Sequence, residues 1–124
     1  MARVVLIEDE PNIAEAIRFL LSRDGCEVHA LPDGLGGVEA VRAGAPDLVI
    51  LDLMLPGVSG LDLLAAIRAD AGLAAVPVLM LTAKGQGRDR EAAERAGVSR
   101  FMTKPFANAE MLAAVRDLVA AGRG

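Results

Sequence analysis

At 124 residues the chain has the length of one domain, and its 53% hydrophobic content is enough for a buried core, which excludes a disordered segment. The net charge of −4 and the absence of a basic cluster argue against a surface that binds nucleic acid directly. The chain has three Phe and neither Trp nor Tyr, so it offers few rings on which bases or a flavin could stack.

Cys26 and the N-terminal residues bear on the compartment. Because Cys26 is the only cysteine, no internal disulfide can form, which suits a reducing environment. The first apolar run is too short for a signal peptide, and acidic residues follow it at once. No run approaches the roughly 20 apolar residues of a membrane helix. We expect a cytoplasmic protein that does not bind membranes.

The chain alternates five times between a short apolar run and an amphipathic segment. Such runs, bounded by turn-forming residues, are typical of strands buried on both faces of a parallel sheet. In chain order the sequence predicts a strand at 3–8, a helix at 11–24, a strand at 26–31, a helix at 34–43, a strand at 47–52, a helix after Ser59, a strand at 77–82, a helix at 87–96, a strand at 99–103 and a helix at 107–121.

The helices differ in the strength of their apolar faces. The first helix has apolar residues at helical spacing, namely Ile13, Ala16, Ile17, Leu20 and Leu21. The second has a glycine-rich start, and Leu35, Val38 and Val41 form its apolar face. The fourth follows Gly85 and has only alanines to bury, so we expect it to be held loosely. For the third helix, Ser59 is the predicted N-cap.

The order of these elements predicts an α/β fold. Five βα units with right-handed crossovers give a (βα)5 doubly wound, five-stranded parallel sheet with helices on both faces. We expect residues 1–124 to form one domain, with no internal repeat or low-complexity segment.

Polar residues stand at or directly after the ends of four predicted strands. Glu8 and Asp9 come at the end of the first strand, Asp52 ends the third, Thr82 ends the fourth, and Lys104 follows the fifth. Because ligands of parallel sheets bind outside the carboxyl ends of the strands, these side chains should converge. Clustered carboxylates favour a divalent cation, and oxygen ligands suit Mg²⁺.

Four segments resemble the receiver domain of two-component response regulators, of the kind found in chemotaxis regulators. They are Glu8-Asp9-Glu10, the run from Leu51 to Gly60, Leu81-Thr82-Ala83 and Lys104-Pro105-Phe106. They occur in the family's order and spacing, and the resemblance covers the whole chain. It implies a flavodoxin-like sheet with strand order 2-1-3-4-5.

The resemblance also implies a phosphorylation site with a metal ion. Asp52, at the end of the central strand, is the expected phosphoacceptor. Asp9 is expected to bind Mg²⁺ or Mn²⁺ directly, and Glu8 directly or through water. The backbone carbonyl of Met54 is the further metal ligand that the family supplies. Few protein ligands suffice, because Mg²⁺ keeps several waters.

Further residues are implied to handle the phosphoryl group. Lys104 should contact a phosphoryl oxygen, and before phosphorylation it can pair with Asp52. Thr82 should donate its hydroxyl to another oxygen, and Ala83 is small enough to leave room. The peptide bond before Pro105 is expected to be cis.

The implied function is a signalling switch rather than a metabolic enzyme. A sensor histidine kinase or phosphotransfer protein would donate the phosphoryl group, and the domain would catalyse its own transfer and slow hydrolysis. Phe101 would then turn inward, and a downstream effector protein would recognise the fourth helix, fifth strand and fifth helix. Ser99 and Arg100 stand where many DNA-binding relatives have acidic residues that support dimers, so we expect a monomer or a weak dimer.

Three alternatives remain open. The chain could be a receiver domain taken from a longer DNA-binding regulator or hybrid kinase. An aspartate-nucleophile, Mg²⁺-dependent phosphohydrolase would need a second carboxylate two residues after the nucleophile, where this chain has Met54. A flavodoxin-like electron carrier would need a hydroxyl-rich loop after the first strand, where this chain has Glu8-Asp9-Glu10-Pro11.

Overall fold

Strands and helices alternate along the chain in the computed structural model, which describes residues 1–83 and 87–123. In chain order the elements are β1 (Arg3–Ile7), α1 (Pro11–Arg23), β2 (Glu27–Leu31), α2 (Gly37–Gly44), β3 (Leu48–Asp52), α3 (Gly60–Ala69), β4 (Val78–Thr82), α4 (Gly87–Ala96), β5 (Arg100–Thr103) and α5 (Asn108–Arg123). Gly85, which was expected to contribute to a loosely held α4, lies outside the described residues. None of the helices in the described ranges is both long and apolar enough to cross a membrane.

The five strands form one parallel sheet in the order β2-β1-β3-β4-β5. This confirms the predicted fold class and strand order. The register sets the strand ends level, since Ile7 pairs with Leu51 and Asp52 pairs with Leu81. Thr82 in turn pairs with Thr103. The residues at these ends therefore reach the same edge of the sheet.

The core lies in two layers, one on each face of the sheet. Alternate strand residues face opposite layers, because side chains alternate across a strand. Leu6 and Ile50 pack with α1 and α5, whereas Ile7 and Leu51 pack with α2, α3 and α4. The central strand β3 is buried along its whole length, so its last residue, Asp52, is held in a rigid frame.

The second helix begins later than predicted, and the prediction that Leu35 faces the core is wrong. The Leu35 amide donates to the Asp33 side chain at 2.9 Å, and Gly36 has a φ of 72°, so the chain turns before α2 starts at Gly37. Leu35 therefore lies in this turn and is 66% exposed. Val41, which lies inside the helix, is buried as predicted.

The third helix begins where its capping residue predicts. The Ser59 side chain accepts a hydrogen bond from the Asp62 amide at 3.2 Å. Gly60 follows, and a Cβ there would collide with the carbonyl oxygen of Asp52. The sequence thus lets the start of α3 approach the end of β3 closely, directly behind the predicted site.

Candidate functional site

Carboxyl groups from two neighbouring strands meet at the carboxyl edge of the sheet. One oxygen from each of Glu8, Asp9 and Asp52 lies within 4.8 Å of the others. Glu8 and Asp52 are buried, whereas Asp9 is exposed. Asp9 and Asp52 border a surface crevice of about 490 Å³, whose full lining is Asp9, Glu10, Ile13, Asp52, Met54, Ala83, Lys104 and Pro105. The structure therefore brings together the acidic residues that the sequence singles out.

Lys104 supplies the positive charge of this crevice. Its Nζ atom donates to Asp52 Oδ2 at 2.8 Å and to Glu8 Oε1 at 3.2 Å, and it lies 3.6 Å from Glu10 Oε1. The backbone amide of Lys104 donates to the Thr82 carbonyl at 2.7 Å, which places the side chain directly after β5. The Lys104–Pro105 peptide bond is cis, the isomer that the resemblance implies. The ion pair expected between Lys104 and Asp52 is thus present.

The proton affinities of Glu8 and Lys104 are both shifted at this site. Burial raises the pKa of Glu8 to about 8, helped by the hydrogen bond and charge of Asp52 and opposed by Lys104. Burial alone would lower the pKa of Lys104, but the hydrogen bonds and charges of Asp52 and Glu8 outweigh it and raise the pKa. Glu8 therefore keeps its proton to a higher pH than an ordinary glutamate does.

The three acidic residues fit a divalent cation. Glu8 Oε2 is buried with no hydrogen-bond partner among the described residues. A proton shared with Asp52 or a bound cation would satisfy that oxygen, and an all-oxygen donor set suits Mg²⁺. The Met54 amide donates to Asp52 Oδ1 at 3.2 Å, which helps to fix the acceptor carboxylate. The role of the Met54 carbonyl as a metal ligand stays a prediction.

Thr82 and Ala83 lie beside the acidic cluster. Thr82 is fully buried, and its Oγ1 atom has no hydrogen-bond partner among the described residues. Ala83 is exposed and lines the crevice. Phe101 lies outside the crevice, because it pairs with Met80 lower in the sheet and packs half-buried beneath α4. The structure therefore brings every predicted site residue except Phe101 to the sheet edge.

Sequence reasoning missed an apolar surface that extends from the crevice along α1. Of the five apolar residues that the sequence places on one face of this helix, Ile17 and Leu21 are buried, Ile13 and Leu20 are partly buried against the core, and Ala16 is exposed. The surface formed by the solvent-facing apolar side chains is here called the α1 strip. It contains Ile13, Ala16, Phe19 and Leu20 of α1 and Leu112 of α5. Phe19 is 62% exposed. The sequence does carry a sign of this surface, because Phe19 lies outside the helix face that the other apolar residues of α1 form.

Comparison with known proteins identifies the family to which the chain belongs. Residues 4–116 match the model of the response regulator receiver domain. The chain belongs to this family. It is 42% identical over 116 residues to the transcriptional regulatory protein CseB of Streptomyces avermitilis, covering 94% of the chain and 48% of CseB. It is 40% identical over 114 residues to the DNA-binding response regulator MtrA of Mycolicibacterium smegmatis, covering 92% of the chain and 49% of MtrA.

Solved structures agree with this assignment. A response regulator receiver domain from Clostridium thermocellum superposes with a TM-score of 0.91 at 26% identity, covering 99% of this chain and 98% of the other. The chain is thus a two-component receiver domain, a class of non-enzymatic signalling domain. It spans about half the length of the curated relatives described above.

Proposed function

We propose that this receiver domain is a phosphorylation-dependent switch that accepts a phosphoryl group on Asp52. The donor would be a sensor histidine kinase or a phosphotransfer protein. The observation that carries the proposal is the acceptor carboxylate itself, which is held on one oxygen by Lys104 and on the other by the Met54 amide. It lies in an open crevice with two further acidic residues, and no other described carboxyl cluster could hold a metal ion.

In the proposed reaction, Asp52 attacks the phosphoryl group in line. The carboxylate attacks phosphorus, a P–O bond forms, and the P–N bond of the donor's phosphohistidine breaks, with the electron pair remaining on the imidazole nitrogen. A carboxylate and a phosphoryl group repel each other, so the site must offset negative charge. Mg²⁺ bound by Asp9, Glu8 and Asp52 would neutralise charge on both groups. Lys104 provides a second, fixed positive charge.

The same residues would keep the phosphoryl group on Asp52 and make its hydrolysis slow. Lys104 and the Thr82 hydroxyl can each donate to a phosphoryl oxygen, and the small Ala83 leaves space beside it. A rapid phosphohydrolase needs a second carboxylate two residues after the nucleophile, and Met54 cannot act as a general acid or base. We therefore propose self-catalysed transfer followed by slow hydrolysis. A purified sample treated with acetyl phosphate and Mg²⁺ tests this by intact mass, with the variant that identifies the acceptor treated in the Discussion.

The α1 strip is the surface that we propose for the phosphoryl donor. It begins at Ile13, which lines the acceptor crevice, and continues through Ala16 and Phe19. A group of apolar side chains with an exposed aromatic ring, next to a reactive group, favours a protein interface. A helical donor seated there would place its phosphohistidine near Asp52.

Phe19→Ala should slow phosphotransfer from a protein donor without changing phosphorylation by a small molecule. We expect a loss of about tenfold in transfer rate, the size typical of an exposed aromatic anchor. The measurement compares rates from the most active member of a panel of phosphorylated histidine kinases with rates from acetyl phosphate. Leu35→Ala, which removes a similarly exposed side chain outside the strip, is the matched control. Equal losses with both donors would contradict the assignment of the strip.

The output surface proposed here comprises α4, β5 and α5, and its partner would be a different protein. Arg100 pairs with Asp117 of α5 at 3.5 Å. The Ser99 hydroxyl accepts from the Val78 amide at 3.0 Å. Neither position presents a negative charge to a second copy of the chain.

We therefore expect the activated domain to remain a monomer or a weak dimer. Light scattering of the beryllofluoride-bound protein with Mg²⁺, at micromolar concentration, checks this. A stable two-fold dimer through α4 and α5 would contradict it. That outcome would favour a receiver domain of a longer DNA-binding regulator, the class to which MtrA belongs by name.

A further inference from the structure

A contact between Arg90 and Phe101 joins α4 to β5. The guanidinium carbon of Arg90 lies 4.8 Å from the centroid of the Phe101 ring, within the range of a cation–π interaction. The Arg90 side chain is exposed and the ring is half-buried, so the guanidinium covers the ring from the solvent side. In the sequence, the charged residues at 88–91 suggest a solvated helix face. No sequence pattern indicates that Arg90 contacts Phe101.

The Phe101 ring lies on the same face of the sheet as the Thr82 hydroxyl. Phe101 pairs with Met80, and Thr82 follows two residues later on β4, so their side chains project to one side. The ring packs against the core layer beneath α2, α3 and α4. The buried Thr82 Oγ1 has no hydrogen-bond partner among the described residues. A movement of Thr82 toward a phosphoryl group would therefore alter the space next to the ring.

The two ends of α4 are held very differently. Near its C-terminal end, Arg68 donates to the Gly97 carbonyl at 2.8 Å, and the Val98 amide donates to the Ala93 carbonyl at 3.1 Å. Ala93 is the buried residue of the helix, and it offers only a methyl group to the core. Nearer the N-terminal end, the Arg90–Phe101 contact ties α4 to β5.

We propose that Arg90 is a latch that holds Phe101, and α4 with it, in the resting arrangement. This inference rests on the proposed function, because phosphorylation of Asp52 is what would draw Phe101 inward. Inward rotation takes the ring from beneath the guanidinium, so the contact exists only in the resting state. An activating ligand must therefore offset the free energy of the Arg90–Phe101 contact, which stabilises the resting state alone. Arg90 thus sets how much ligand is needed to activate the domain.

Arg90→Met tests the latch, with beryllofluoride and Mg²⁺ as the activating probe. Met keeps an apolar side chain over the ring and removes the charge. An exposed cation–π contact corresponds to about a two- to fivefold change in an equilibrium, so half-saturation should need about two- to fivefold less beryllofluoride. Because the chain has no Trp or Tyr, the titration is followed by the amide NMR signal of Thr82 rather than by intrinsic fluorescence.

Three further variants separate a latch from a general structural role. Arg90→Lys should restore most of the wild-type midpoint, since it retains a cation. Arg95→Met removes the same charge from an exposed position of α4 that has no aromatic contact among the described residues, and it should leave the midpoint unchanged. In a Phe101→Leu background, Arg90→Met should have no effect.

Two results would overturn the latch while leaving the proposed function intact. One is an Arg90→Met midpoint equal to or above that of the wild type. The other is the same shift with and without Phe101, which would mean that Arg90 acts through some other group. If the wild-type protein neither gains a phosphoryl group from acetyl phosphate nor binds beryllofluoride, the proposed function fails and the latch fails with it.

Discussion

Asp52→Asn should abolish the gain of one phosphoryl group that acetyl phosphate and Mg²⁺ produce in the wild-type protein. The amide is a poor nucleophile, and it can neither hold a metal ion nor pair with the Lys104 ammonium as a carboxylate does. Loss of the nucleophile removes the reaction rather than slowing it, so we expect a fall of at least about a thousandfold in rate. Intact-mass spectrometry over time gives the rate directly.

A control for the assignment of Asp52 as phosphoacceptor lies in α3, the helix that follows β3. Asp62→Asn changes another aspartate to asparagine in the first turn of α3, where the side chain is exposed and outside the crevice. It should be phosphorylated as fast as the wild type. If Asp52→Asn gained the group at the wild-type rate, or if EDTA left the wild-type rate unchanged, the proposed chemistry at this site would be wrong.

The sequence was sufficient to predict that the side chains of the site converge, because parallel sheets bring strand ends together. Glu8, Asp52 and Thr82 each stand at or directly after the end of an apolar run, and Lys104 follows the last run. The register that aligns Ile7 with Leu51 and Asp52 with Leu81 then leaves these residues little freedom to lie apart. Position along the chain thus predicted position in space for this part of the molecule.

Residues whose environment depends on distant packing were predicted less well. Leu35 carries the right apolar character for a helix face, but the turn formed by Asp33 and Gly36 places it before the helix begins. The contact of Arg90 with Phe101 depends on how α4 lies against β5, which local pattern does not specify. The shifted pKa of Glu8 requires both its burial and its distance from Asp52, and neither is visible in the sequence.

The metal-free protein should lose stability as the pH rises from about 4.5 to about 8. In the unfolded chain Glu8 releases its proton near its ordinary pKa of 4.5, whereas in the folded protein it keeps the proton until about pH 8. The folded state therefore binds more protons across this window, and the free energy of unfolding falls with increasing pH. Lys104 stays charged throughout the window, because its pKa is raised above 10.5. Each unit by which folding raises the Glu8 pKa is worth about 1.4 kcal/mol, so the loss should exceed about 1 kcal/mol.

Glu8→Gln and Asp52→Asn test this account in urea denaturation with EDTA. Glu8→Gln removes the titrating group, so its unfolding free energy should vary much less between pH 5 and pH 8. Asp52→Asn removes the neighbouring charge that helps to raise the Glu8 pKa, and it should melt above the wild type in EDTA at pH 8. Glu94→Gln, an exposed change on α4, should follow the wild-type curve.

Mg²⁺ should reverse the loss by binding the ionised carboxylates of the native state alone, which raises the melting temperature. The stabilisation should grow from pH 6 to pH 8, because Glu8 must release its proton to act as a full ligand. It should be smaller in Asp52→Asn, which has one charged ligand fewer. The account would be contradicted if Asp52→Asn melted clearly below the wild type in EDTA. That result would mean that the Lys104–Asp52 ion pair stabilises the empty site more than crowding of the carboxyl groups destabilises it.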